Sequence, residues 1–276
     1  MTTVLRYAAF TTDPSGGNKA GVVLDATELT DDRMLAVAAE LGYSETAFLT
    51  PLGGRDYRVR YFAPTMEVPF CGHATIAAAV AVAEQTGPGD LVFETKAGTV
   101  PVAVDEELRA TLTSVEPHVQ EVDQADLQEA LAALDWSAAD LDQSLPPRFA
   151  YAGARHLVLA TATRERLADL SYDFDRLATF MTAHDLITLQ LVWRESAAVF
   201  HVRDPFPVGG VVEDPATGAA AAAFGAYLRE LGQAGPDARL TLHQGEDLGS
   251  PGLLHVELRS GDPRVRVSGA AVRLTD

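Results

Sequence analysis

Two short stretches, Cys71-Gly72-His73 and Asp214-Pro215-Ala216-Thr217-Gly218, each open an alanine-rich segment, and Glu45 opens the apolar run Thr46-Ala47-Phe48. These residue types in these places suit chemistry. A carboxyl entering an apolar strand becomes harder to ionise once buried, which brings it into the range where it can both take and give a proton. At a strand edge the same group would simply face water. Cys71 is the one cysteine of the chain. At a helix start its thiol would be acidified, and inside a core it would be a small apolar filler. His73 stands beside Gly72 at the same opening, and the remaining histidines show no metal-binding spacing such as HExxH. The first N–H groups of a helix lack intrahelical partners, and the helix dipole adds to their pull on anions. Two such openings facing each other would clamp a small carboxylate-bearing molecule on the amides of Gly72, Ala216, Thr217 and Gly218. The same residues also read as plain caps, since Asp214 suits an N-cap and Pro215 an N1 position.

The two openings belong to stretches that match without a gap. VRYFAPTMEVPFCGHATIAAA (59–79) lies over VRDPFPVGGVVEDPATGAAAA (202–222), pairing Val59 with Val202, Arg60 with Arg203, Pro64 with Pro207 and Val68 with Val211. A match occurring once at half the chain length points to two similar domains rather than a solenoid. In this register Cys71 falls on Asp214.

The elements that must position these residues follow from pattern. Val4–Phe10 reads as a strand ending at the turn Thr12–Gly17, and Ala20–Leu24 as another. Thr30 and Gly42 bracket a helix over Asp31–Leu41. Strands are expected from Thr46 and over Tyr57–Phe62, then a helix over Ala74–Glu84 that stops at Gly87-Pro88-Gly89. Leu91–Thr95 and Thr99–Val104 read as a hairpin, followed by a strand at Ala110–Ser114. Glu116–Pro147 is polar and partly helical (Ala125–Leu134) and reads as the passage between domains. Strands are expected at His156–Ala160, Leu186–Trp193 and Ala197–Val202, a second alanine-rich helix at Ala219–Leu231, and closing strands at Arg239–His243, Leu253–Leu258 and Val265–Val272. Helices apolar on every side are buried on every side. The expected fold is therefore α+β: two pseudo-symmetric domains (1–116 and 117–276), each a mixed curled sheet or barrel around a central alanine-rich helix.

Composition bounds the partners. The 276 residues carry a net charge of −18, with 47% hydrophobic and 22% charged residues. The chain can bury real cores, and its surface disfavours nucleic acid and anionic membranes. One cysteine excludes an internal disulfide framework, a cysteine-based zinc cluster and any two-thiol mechanism within one chain. The start of the chain has no signal-peptide pattern and Ala74–Ala83 is too short to span a bilayer, so a cytoplasmic location is expected. Neither a GxxxxGK[ST] loop nor a GxGxxG after a strand is present, and no cofactor or metal is expected.

Five segments together resemble the PhzF (phenazine-biosynthesis-like) family of the diaminopimelate epimerase-like fold. They are Gly17-Asn18-Lys19-Ala20-Gly21-Val22-Val23, Ser44-Glu45-Thr46-Ala47-Phe48, Arg60-Tyr61-Phe62-Ala63-Pro64, Phe70-Cys71-Gly72-His73-Ala74-Thr75 and Glu213-Asp214-Pro215-Ala216-Thr217-Gly218. The resemblance implies two pseudo-symmetric domains with the site between them, and a cofactor-independent isomerase that moves a proton on a small carboxylate-bearing substrate. It implies Glu45 as acid/base, with His73 and Asp214 as further catalytic groups and Asn18, Gly72, Cys71, Ala216, Thr217 and Gly218 against substrate. Homodimers are common in the family. Three positions depart from its pattern: Lys19 stands where proline is common, Ala219 where serine is common, and the segment 244–251 lacks the usual Gly-Arg-Pro-Ser run. Two other readings compete with the isomerase: an amino-acid-type epimerase using Cys71 with Asp214 or Glu45, and a ligand-binding or interaction module with little turnover.

Overall fold

The computed structural model describes residues 2–275; Met1 and Asp276, which the expected domain limits include, lie outside the described residues. The first half runs β1 (Leu5–Ala9), β2 (Asn18–Val23), α1 (Asp31–Leu41), β3 (Glu45–Gly53), β4 (Asp56–Phe62), β5 (Glu67–Val68), α2 (Gly72–Thr86), β6 (Gly89–Thr95), β7 (Gly98–Val104) and β8 (Ala110–Thr113). The second half runs β9 (His118–Glu121), α3 (Gln124–Ala133), β10 (Arg148–Tyr151), β11 (Arg155–Ala160), α4 (Arg164–Ala168), α5 (Phe174–Ala183), β12 (Thr188–Arg194), β13 (Val199–Pro205), β14 (Glu213–Asp214), α6 (Gly218–Glu230), β15 (Arg239–Gln244), β16 (Gly252–Arg259), β17 (Asp262–Gly269) and β18 (Ala271–Arg273).

The fold is α+β, with mixed parallel and antiparallel pairing. The strands curl around the two alanine-rich helices, α2 against β1, β2, β3, β7 and β8, and α6 against β9 to β12, β16 and β17. Residues Gly72–Ala83 of α2 and Gly218–Leu228 of α6 are all buried. Alanine makes this possible, because a methyl side chain lets strands approach a helix on every side without leaving voids. The two wraps are not separate sheets. Antiparallel pairing of β17 with β8 joins them, and β18 returns to pair with β1. All strands thus belong to one sheet, folded twice around a helix rather than lying open.

The remaining helices cover the outside. Met34, Val37 and Ala38 of α1 pack on Val23, Phe48 and Phe62. Leu131, Leu177, Phe180 and Met181 of α3 and α5 pack on Leu157, Leu159, Leu189 and Leu191. Helices α4 and α5 are absent from the elements expected from sequence. The segment 116–147 is more than a passage, since it supplies β9, the strand beside β10, and α3.

The internal match holds only in part. β4 and β13 keep the register of the gapless match, Asp56–Phe62 over Val199–Pro205. Beyond them the loop before β14 is three residues longer than the loop before β5, so the register slips. Arg60–Glu67 at 2.7 Å and Arg203–Glu213 at 2.6 Å are equivalent ion pairs on either side of that slip. The residue opposite Cys71, the N-cap of α2, is therefore Thr217, the N-cap of α6. Asp214 is opposite Val68 instead. The pairing of Cys71 with Asp214 read from the sequence is corrected accordingly.

Candidate active site

The starts of α2 and α6 touch. A Cβ added to Gly72 would lie 2.8 Å from the Gly218 Cα and from the Ala219 nitrogen, so only glycine permits this approach. The meeting point draws residues from four elements. Asn18 enters from the first position of β2, after Gly17 at φ +64°, where a Cβ would meet the Ala9 carbonyl at 2.2 Å. Glu45 opens β3, held beside β2 by the parallel pair Ala20–Glu45. Cys71 and His73 flank the start of α2, and Asp214 ends β14 just before α6.

These side chains form one buried network. Asn18 Nδ2 donates to Asp214 Oδ1 at 2.6 Å and to the Ala216 carbonyl at 3.1 Å, and lies 3.0 Å from His73 Nδ1. His73 Nε2 is 3.5 Å from Glu45 Oε2 and 3.3 Å from Ser44 Oγ. Cys71 Sγ is 3.3 Å from His73 Nδ1, and its thiol also hydrogen-bonds Glu45. Thr217 Oγ1 donates to Asp214 Oδ2 at 2.6 Å. Every one of these residues is buried except Ser44, which is partly so.

Burial dominates the electrostatics. It raises the Glu45 carboxyl to about 8, with the Asp214 charge adding to the effect and hydrogen bonds from Ser44 and Cys71 opposing it. Burial also raises Asp214, against the pull of Thr217 and Asn18. It lowers His73 to about 3, so the imidazole is neutral. The Cys71 thiol is pushed well above its ordinary range by burial and by the Glu45 charge. The acidifying effect of the helix start expected from the sequence is outweighed, and Cys71 stays a thiol.

A cavity of about 280 Å³ opens onto this network, lined by Asn18, Lys19, Ser44, Val211, Asp214 and Ser250 among others. Lys19 brings a positive charge to it in an otherwise acidic chain. The amides expected to bind an anion are partly engaged. Gln244 Oε1 accepts from the Thr217 N–H at 2.9 Å, and the Cys71 sulfur accepts from Ala74 N–H. The first-turn amides of Gly72, His73, Gly218 and Ala219 have no intrahelical acceptor. Donor atoms of Glu45, Cys71 and His73 lie within 4.8 Å of one another, close enough to hold a divalent ion. In the described structure they bond to each other.

All the candidates meet here: Glu45, His73, Asp214, Asn18, Cys71, Gly72, Ala216, Thr217 and Gly218. Sequence reading missed Ser44, Gln244 and Asp204. Ser44 was visible beside Glu45. Gln244 and Asp204 gave no local signal, because only pairing across the sheet brings them in.

The phenazine biosynthesis-like family model, PhzC-PhzF, matches residues 7–276. The chain belongs to this family. An uncharacterized isomerase of Deinococcus radiodurans is 36% identical over 284 residues, 98% of this chain and 92% of the relative. The trans-2,3-dihydro-3-hydroxyanthranilate isomerase of Pseudomonas aeruginosa is 29% identical over 262 residues, 93% of this chain and 90% of that enzyme. Among solved structures, a predicted epimerase from Pseudomonas aeruginosa superposes with a TM-score of 0.87 at 28% identity, covering 100% of this chain and 98% of that one. Family and relatives make the chain an isomerase on the diaminopimelate epimerase-like fold. No helix among the described residues is long and apolar enough to cross a membrane.

Proposed function

We propose that the chain moves a proton between carbon positions of a small carboxylate-bearing substrate, with Glu45 as the acid/base and no cofactor taking part. One observation carries this reading. A carboxyl raised to about 8 lies buried behind Ser44, which lines the cavity, 3.5 Å from a neutral imidazole and beside a thiol. A group poised near the working pH can take a proton from carbon and return it elsewhere with little free-energy penalty for either form. Neutral His73 orients Glu45 and completes the path for the proton. Asn18 fixes His73 and Asp214 together, and Asp214 orients the substrate or passes it a proton. Lys19 and the first-turn amides of α2 and α6 that lack an intrahelical acceptor attract the substrate carboxylate.

The named hydroxyanthranilate isomerase among the relatives supports a cyclic carboxylate with an activated C–H. Lys19, Ala219 and the altered 244–251 segment favour a different member of that class. We also propose a homodimer in the cytoplasm, and a domain division between Glu116 and Pro117, where β8 has ended and β9 has not begun.

Solvent deuterium uptake into a panel of cyclic and amino carboxylates tests the chemistry. Glu45→Gln should lower exchange by roughly 10²–10⁴, and Cys71→Ala by far less, because the thiol only hydrogen-bonds the carboxylate. The opposite order, with Cys71→Ala abolishing exchange, would establish the thiol epimerase instead.

A further inference from the structure

Behind Asp214 lies a second carboxyl that the chemistry above leaves unused. Asp204 is 0% exposed on β13, and the strand pairing sets it directly across from Asp214 on β14. The equivalent position on β4 is Tyr61, a fully buried ring. An acid in that place is costly unless its oxygens are hydrogen-bonded, and its neighbours meet that need. Thr188 Oγ1 donates to Asp204 Oδ2 at 3.2 Å. The Gln190 amide, turned to donate, is 3.1 Å from both oxygens. Thr217 lies beside it as a third polar neighbour.

Thr217 links the two acids. A hydroxyl has one proton to give and two lone pairs to accept with. Its proton goes to Asp214 Oδ2 at 2.6 Å, and one lone pair takes Gln244 Nε2 at 3.0 Å. The remaining lone pair can bond Asp204 only if Asp204 is the donor, and so a protonated acid. Two buried carboxylates set across from each other on paired strands disfavour each other's charge, which favours a single proton on the pair. Asp214 is the better anion, because it receives Asn18 and Thr217 at 2.6 Å each and borders the cavity. Burial first, and then the Asp214 and Glu213 charges, hold Asp204 well above the carboxylate range. Glu213 is itself paired with Arg203 at 2.6 Å, and His156, kept neutral by burial, joins through Thr188 at 2.8 Å.

We propose that Asp204 is a positioning residue that stores a proton for Asp214, delivered through Thr217. When Asp214 must act as an acid, the Asp204 O–H and the Thr217 O–H bonds break. A new Thr217 O–H and an Asp214 O–H form in their place. Asp204 is left as a carboxylate facing Thr188 and Gln190, which are already oriented to donate to it, and the reverse shift restores the start. No water or outside reactant is needed. This inference rests on the reading of Asp214 as a group of the isomerase site.

Infrared spectroscopy of the full chain at neutral pH, in a Glu45→Gln background that removes the buried carboxyl raised to about 8, reads the stored proton without substrate. A protonated-carboxyl band should be present, and adding Asp204→Asn should remove it. Absence of the band in the parent, or its persistence after Asp204→Asn, would overturn the assignment. In otherwise native chain, Asp204→Asn keeps the shape and a donor toward Thr217 but cannot release a proton. It should slow deuterium exchange roughly tenfold or more, as should Thr217→Val, while Thr217→Ser restores most of the rate. A silent Asp204→Asn would reduce Asp204 to a structural role. If the native chain exchanges nothing, the proposed proton-transfer reading fails while the infrared result still decides where the proton sits.

Discussion

With Glu45 as the proposed acid/base, its carboxyl sets the pH behaviour expected of the candidate site. Its folded-state carboxyl lies at about 8, above the ordinary value of 4.5. The ionised base is therefore the minor form at neutral pH. Exchange that begins with proton removal should rise with pH until about 8 and then level off, and Glu45→Gln should flatten that limb. The same shift acts on stability. The folded state binds the proton more tightly than the unfolded chain, so this contribution is full below about 4.5 and is lost as pH rises to about 8. Native chain should thus lose more melting temperature between pH 5 and pH 8 than Glu45→Gln, with a difference on the order of a few kcal/mol. Equal slopes in the two proteins would remove Glu45 as the titrating group. Lys19 makes a separate prediction. Lys19→Gln should raise KM for a carboxylate substrate several-fold and leave kcat within about twofold, the signature of a binding charge.

At the scale of elements, the contact between α2 and α6 decides whether the site exists. A Cβ at Gly72 would come within 3 Å of backbone atoms of Gly218 and Ala219, and backbone cannot turn aside as a side chain can. Gly72→Ala should push the helix starts apart and cost about 1–3 kcal/mol, as overpacking does. Gly218→Ala should cost less, since its contacts begin at 3.0 Å with the tip of the Phe10 ring, which can give. Chemical denaturation of both variants checks the order. The slipped register between β5 and β14 matters at this scale too. It places Asp214 where the first half has Val68, so the site is asymmetric although the scaffold is repeated.

For the whole molecule, the two wraps share one sheet. β17 lies against β8, and β18 against β1. Neither half can lose its strands without exposing an edge of the other. Calorimetry should accordingly give one cooperative transition, with calorimetric and van't Hoff enthalpies in agreement. Two resolved transitions would mean that the halves are energetically separate in spite of the shared pairing.

By itself the sequence determined the α+β class, the two buried alanine-rich helices and most of the residues that gather at the candidate site. Alanine runs free of charge can only be core, and the short motifs around Glu45, His73 and Asp214 are contiguous in the chain. α5 was not among the expected elements, although the Asp173 cap and the spacing of Leu177, Phe180 and Met181 mark it. The tertiary structure alone decided three things. The first is the three-residue slip that sets Thr217, not Asp214, opposite Cys71; identical alanines align in any register and cannot reveal it. The second is the state of Cys71, because the desolvation that outweighs the helix start arises only when strands close around it. The third is the placing of Asp204 behind Asp214. Cross-strand pairing creates that neighbour, and a carboxyl in an extended segment gives no sign of which strand it will face.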